Sequence, residues 1–205
     1  MEENRSLFVV FKTEEEKNAI ILDNVVLMLS HRIYVDKAGE KHPLLTYDDA
    51  LKKARDVGNN SFTVKADTGD TYAIKIIYQK ILTTGKQSVV SEFIKEYESD
   101  KKIIIANDYN NKIIDAVTRQ GVQLFKERTL MSDLLTFRDQ PTFELLSPKE
   151  MEQVKTEYNV TPYTLPKILR TDPVVKYFGL KKGDIIRIIS PSPTAGMNTS
   201  YQVVA

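Results

Sequence analysis

Lys65, Asp67, Asp70 and Lys75 are the residues best placed by type and spacing to do chemistry together, clustered around the turn Asp67-Thr68-Gly69-Asp70. Acidic groups near a lysine on neighbouring strands are what a metal-dependent nuclease needs: carboxylates hold Mg²⁺ and steer the attacking water. The architectural alternative is that both aspartates serve the turn, where Asp bonds its own backbone. The two lysines are then the solvent side of alternating strands, and this is the reading adopted. Glu14-Glu15-Glu16 is first-turn acid that favours a helix dipole, not a catalytic cluster. The two histidines, His31 and His42, do not sit at metal-ligand spacing from a second strong ligand. No Gly-x-Ser-x-Gly elbow and no phosphate loop is present. The chain has no cysteine, which removes disulfides, zinc ribbons and thiol catalysis together and favours an intracellular setting. No catalytic residue, metal or cofactor is therefore expected.

The 205 residues suffice for one large domain or two small ones. Net charge is +1, with 20 basic and 21 acidic residues up to Phe137 and 9 and 7 beyond it. A free-standing DNA binder shows a clear basic excess, because phosphate contacts supply most of its affinity. If this chain meets nucleic acid, something else holds it there. No apolar run approaches the ~20 residues that span a bilayer, and Met1-Glu2-Glu3-Asn4-Arg5 does not read as a secretory signal. No membrane partner is expected.

Seven of the eight prolines follow Gln140, which places a boundary near residues 137–141 and two domains at 1–137 and 138–205. In the first, Thr13 to Glu16 form a capping box, and Ile20, Ile21, Asn24, Val25 and Met28 continue at helical spacing. A second helix is predicted from Thr46, with Ala50, Leu51, Ala54 and Val57 on one face and Gly58 as its stop. Residues 61–66 and 71–78 read as a hairpin, 88–98 as a helix and Ile103-Ile104-Ile105 as a buried strand. A helix over 113–119 stops at Gly121, before a strand at 122–125. Alternating helices and strands predict a sheet with helices packed on it.

In the second domain, Ser147-Pro148-Lys149-Glu150 is a capping box with proline at the first helical position. Met151, Val154 and Tyr158 form the apolar stripe, and Asn159 can end the helix. Thr171-Asp172-Pro173 starts a short helix that Gly179 ends. Lys181 to Asp184 turn into a strand at 185–189, residues 190–196 form a rigid surface loop, and a last strand at 200–204 lies antiparallel to the first. A unit of about 68 residues buries a modest core. Tyr163, Tyr177, Phe178 and Tyr201 are many aromatics for it, so some are expected to be exposed as interface anchors. Gly179 and Gly183 are expected at positive φ.

This second domain resembles the fifth common subunit of eukaryotic nuclear RNA polymerases and the counterpart of that subunit in archaeal RNA polymerase. The resemblance is carried by Leu146-Ser147-Pro148-Lys149-Glu150, Tyr158-Asn159-Val160, Leu165-Pro166-Lys167-Ile168, the run from Asp172 to Asp184, Pro191, Thr194-Ala195-Gly196 and Tyr201. Order and spacing hold over about 60 residues, and the series is specific although no single piece is. The resemblance implies a two-domain, non-catalytic structural subunit of a multisubunit DNA-dependent RNA polymerase. Its N-terminal part would be a jaw-like α/β domain, a sheet flanked by helices, nuclease-like in fold without the chemistry. Its C-terminal part would be a small α+β assembly domain that docks on the largest subunit, near a small common subunit. The residues implied in docking are Asp172, Pro173, Tyr177, Gly179, Lys181, Gly183, Pro191, Thr194, Ala195, Gly196 and Tyr201.

The jaw is implied to lie beside downstream duplex DNA, with weak contacts at Asn110, Asn111 and Lys112. The turn here, Asn107 to Lys112, departs from the family's usual Thr-Pro-Ser-Ala; Asp108 would oppose a phosphate and Lys112 favour one. A divergent jaw beside a well-matched assembly domain suggests a large cytoplasmic DNA virus as source. That implies host cytoplasm and virion, whereas a cellular homologue would be nuclear. Two alternatives stay open: a nuclease on the first domain, and an adaptor serving another complex.

Overall fold

Thr13 opens the first helix as predicted: its hydroxyl accepts from Glu16 N at 3.2 Å, and the Glu16 carboxylate accepts from Thr13 N at 2.8 Å. The computed structural model describes residues 12–205 except 37, 83–84, 86–87, 137–139, 162–163, 193 and 195, and except the side chain of Asn111. Helix α1, Glu14–His31, buries Ile21, Val25, Val26, Met28 and Leu29. A small hairpin follows, β1 (Ile33–Val35) and β2 (Lys41–Pro43), then helix α2 (Tyr47–Lys53).

The main sheet has five strands in the order β3-β4-β5-β6-β7: Arg55–Gly58, Ser61–Lys65, Thr71–Ile77, Lys101–Ala106 and Val122–Lys126. The first three form antiparallel hairpins, and β5-β6-β7 are parallel. Helix α3 (Val89–Glu96) and helix α4 (Asn111–Thr118) supply the two parallel crossovers. The isoleucine run shows why β6 sits inside. Its side chains alternate, so Ile103 and Ile105 join the core under α1, while Ile104 and Ala106 join Val90, Phe93, Ile113 and Val117 on the opposite face. The predicted sheet with helices on it is therefore present, a mixed α/β arrangement.

Past the short helix α5 (Glu127–Leu130) comes a second, four-stranded sheet in the order β8-β10-β11-β9. Its strands are β8 (Thr142–Leu145), β9 (Lys167–Ile168), β10 (Ile185–Ser192) and β11 (Gly196–Val204), with helices α6 (Pro148–Glu157) and α7 (Pro173–Phe178) between them. Ser147 and Glu150 cap α6 reciprocally, and Asn159, at φ 49°, ends it. A small core of Leu146, Val154, Leu165, Ile185 and Val203 holds this part together. The boundary expected at 137/138 lies outside the described residues.

Two predicted elements are corrected. The helix expected to run to Gly58 stops at Lys53, and Val57 lies 52% exposed on β3. Asn59 and Asn60, both at positive φ, reverse the chain into β4, and sheet pairing outweighs the apolar spacing read as a helix face. The loop expected over 190–196 is mostly strand: Ser190, Pro191 and Ser192 pair with Asn198, Met197 and Gly196. Proline is tolerated there because β8 does not reach that part of β10.

Candidate partner interface

The segment predicted to dock is built from three turns. Asp172 Oδ1 accepts from Val174 N at 2.8 Å, and Pro173 takes the first helical position of α7. Gly179, at φ 64°, closes the helix: its N–H reaches Lys176 O and Leu180 N–H reaches Val175 O, a paired C-terminal motif that needs a left-handed residue. In the next turn, Lys181 N donates to Asp184 Oδ2 at 2.7 Å and Gly183 sits at φ 93°. Gly183 N also donates to Val204 O at 2.9 Å, which ties the turn to the end of β11. Both glycines have the positive φ expected of them.

Of the predicted docking residues, Pro173, Lys181, Gly183, Pro191, Thr194 and Gly196 are exposed, and Asp172, Gly179 and Tyr201 are half-buried. Ala195 and Tyr163 fall outside the described residues. Tyr177 is different: it is 4% exposed and belongs to the core under α1. Its hydroxyl donates to Asp133 Oδ1 at 2.6 Å, and the His31 ring nitrogen Nδ1 lies 2.8 Å from the Tyr177 hydroxyl oxygen. Burial, and then Asp133, push its pKa up. The side chain offered as a partner anchor is thus spent inside the chain.

Arg32 completes that joint and was not singled out from the sequence. Its guanidinium, 5% exposed, donates to Tyr177 O (2.8 Å) and Lys176 O (3.0 Å), the last carbonyls of α7, and to Gln123 Oε1 (2.9 Å). Lys176 O already takes the Gly179 N–H, whereas Tyr177 O takes its bond from Arg32, and a cation at this helix end also suits the dipole. Burial lowers its pKa to about 10, which leaves it charged at neutral pH. A sequence signal existed: Arg32 continues the series Val25, Met28, Leu29 at helical spacing, so the buried face of α1 runs into it. A second tie joins the hairpin to α6, where Lys41 Nζ meets Glu150 Oε2 at 2.5 Å and Lys149 Nζ donates to Ala38 O at 2.7 Å.

At the margin of the small core, on the face of the sheet that carries Ile185 and Val203, Tyr201 packs against Tyr158 with ring centres 5.5 Å apart. The Arg187 guanidinium lies 5.7 Å from the Tyr201 ring and bonds Glu144 at 3.1 Å. Tyr158 is 54% exposed and Met197 60%. The tip of the hairpin projects. Strand β8 meets β10 only at 186–189, and β9 meets β11 only at Val203 and Val204. Among the described residues, 190–192 and 196–198 therefore pair only with each other, leaving two open edges.

The predicted DNA-facing turn follows β6. Asn110 precedes α4 without a side-chain cap bond, and Lys112 is exposed. Asp108 is held between Lys126 (2.8 Å) and Lys80 (3.0 Å). These bonds, with a backbone N–H, keep its carboxyl well below the usual carboxylate range. Its opposition to phosphate is thereby offset, since two lysines outnumber one carboxylate.

The candidate nuclease cluster does not converge. Asp70 accepts from Lys101 at 2.6 Å and from Thr68 at 3.0 Å, while Lys75 is bonded to Asn59 O and Ser61 Oγ near the other end of the hairpin. Five residues of extended strand separate Asp70 from Lys75, about 16 Å. His42 does acquire ligand-type neighbours that spacing did not reveal: it bonds Asp36 at 3.1 Å, with Glu40 nearby. Among the described residues this is the one group able to gather around an ion; it is partly exposed, and Asp36 already accepts from Glu40 N.

The described site therefore combines a docking-type surface with a sealed internal joint. Comparison with known proteins gives it a family. Residues 132–204 match the family model for the RNA polymerase Rpb5, C-terminal domain. The chain is 52% identical over 204 residues to DNA-directed RNA polymerase subunit 5 of Acanthamoeba polyphaga mimivirus, covering 100% of each. It is 41% identical over 64 residues to DNA-directed RNA polymerase subunit Rpo5 of Methanocaldococcus jannaschii, covering 31% of this chain and 82% of that one. It is 28% identical over 131 residues to DNA-directed RNA polymerases I, II, and III subunit rpabc1 of Dictyostelium discoideum, covering 64% and 55%. The chain belongs to the Rpb5 family, and its function is that of a structural subunit of a multisubunit DNA-directed RNA polymerase. The nuclease and other-complex adaptor readings find no support among these relatives.

Proposed function

We propose that the chain makes and breaks no bonds itself and acts as a scaffold of two domains, 1–137 and 138–205. The C-terminal domain docks on the largest polymerase subunit, beside a small common subunit. It does so through Asp172, Pro173, Gly179, Lys181 and Gly183 at one end and the β10–β11 ribbon with Pro191, Thr194, Ala195, Gly196 and Tyr201 at the other. The observation that carries this reading is the ribbon: a two-stranded projection with open edges and Met197 60% exposed, the form of surface that a partner strand or groove covers.

The N-terminal α/β domain then serves as the jaw, held beside incoming duplex DNA. The turn carrying Asn110, Asn111 and Lys112, with Lys80 and Lys126 close by, meets the phosphates. Weak contacts suffice because tethering raises the effective concentration. The likeness to the mimivirus subunit supports a viral polymerase working in host cytoplasm and packaged in the virion.

The test is co-purification. A tagged full-length chain retains the two large polymerase subunits, and Met197→Asp lowers their recovery about tenfold with unchanged melting. Undiminished recovery would remove the ribbon from the interface, and a solitary chain would end the scaffold reading.

A further inference from the structure

Strand β7 is the last strand of the five-stranded sheet, and no backbone pairing to its outer edge is found among the described residues. Such a strand directs every second N–H and C=O outward. Here the edge lines a cleft of roughly 540 Å³ between α4 and the segment 170–181. Ile114 and Thr118 stand on one wall; Val175 and Leu180 stand on the other. The volume suits a bound segment several side chains long.

The charges in the cleft are one-sided. Arg170, Lys176 and Lys181 line it, with Asp115 as the single acid. Among the described residues, none of the three cations has an ion pair or a side-chain hydrogen bond. Lys176 is partly desolvated, and that alone pulls its pKa down. A partly buried cation without a counter-charge is a cost that an arriving carboxylate would offset. A free anion would satisfy the lysines but leave the strand edge and the apolar walls unused; an extended peptide would use all three.

We propose that this cleft takes an extended, acid-rich segment of a protein partner, which pairs its backbone with the free edge of β7 and sets carboxylates against Arg170, Lys176 and Lys181. The site shares Gly179 and Lys181 with the 172–183 end of the proposed docking surface, and in that it rests on the proposed function; it does not include the ribbon.

The experiment is a titration of the isotope-labelled full-length chain, followed by amide chemical shifts. The probes are a synthetic peptide of about eight residues alternating Glu with Val, the same peptide with Lys for Glu, and inorganic phosphate, each up to about 1 mM. The expected result is saturable shifts for the Glu peptide centred on Val122, Leu124 and Leu180. They weaken at least about tenfold in Arg170→Glu/Lys176→Glu. Lys181→Glu, an exposed change that leaves the core untouched, weakens binding by a smaller factor and serves if the double variant loses its fold. No saturation, equal binding of the Lys peptide, or the same shifts with phosphate alone overturns the proposal. Because the isolated chain is used, failure here leaves the co-purification result standing, and the converse holds.

Discussion

The joint around Arg32 and the tip of the β10–β11 ribbon use similar materials to opposite ends. Both gather aromatic or apolar side chains near a turn in the C-terminal part. At the joint every polar group named above is satisfied inside the chain: the α7 carbonyls by Arg32, the Tyr177 hydroxyl by Asp133. At the ribbon, strand edges and Met197 are left to solvent. The difference teaches that an aromatic-rich, turn-rich sequence does not by itself say which aromatics are interface. Burial separates them: it assigns Tyr177 to holding the chain together and leaves the ribbon exposed, where the proposed docking surface lies.

The comparison breaks most readily at the joint. Arg32→Met removes the bonds to Tyr177 O, Lys176 O and Gln123 and strands the Tyr177 carbonyl, while Lys176 O keeps its Gly179 N–H, so we expect a loss of about 3 kcal/mol, a fall in Tm of roughly 6–12 °C. An unchanged melting curve would mean that α7 is held without its cap. Gly179→Val is expected to cost about 2 kcal/mol. The residue sits at φ 64°, and an added Cβ would meet the Arg32 guanidinium at 3.1 Å, so relief in an Arg32→Met background would report the crowding directly.

The smallest effect belongs to the second tie. Burial opposes ionisation of Glu150, but bonds from Lys41 and Ser147 outweigh it and bring its pKa to about 2. A folded pKa below the unfolded value gives stability that is full above the unfolded pKa and is lost as pH falls through the folded one. The advantage of wild type over Glu150→Gln should therefore be present above about pH 5 and fade toward pH 2, at no more than about 1 kcal/mol because the pair is partly solvated. Denaturant midpoints across that range check it, and a pH-independent difference would remove the ion pair from the account.

Local chemistry made most elements legible. Thr13 to Glu16 and Ser147 to Glu150 announce helix starts, because a capping side chain sits within a few residues of the amide it serves. Gly179 and Gly183 announce turns, because only glycine takes positive φ at little cost. The stretch from Thr46 to Gly58 misled, since the pairing of β3 with β4 is a contact that no helical period reports. The hairpin β1–β2 and the short strands β8 and β9 lacked a local signature for the same reason.

The proposed docking segment was readable only in part. Its turns and its family were present in residue order and spacing, while the exposure of each side chain was not. Arg32 and Asp133 lie far from Tyr177 in sequence, and nothing local links them. The order of residues thus determined where helices begin, where the chain turns, and what family it joins, because those depend on neighbours along the chain. Which aromatics are sealed, which strand edges stay open and which cations are left without a counter-charge were decided by tertiary packing, because burial and pairing depend on groups that only the fold brings together.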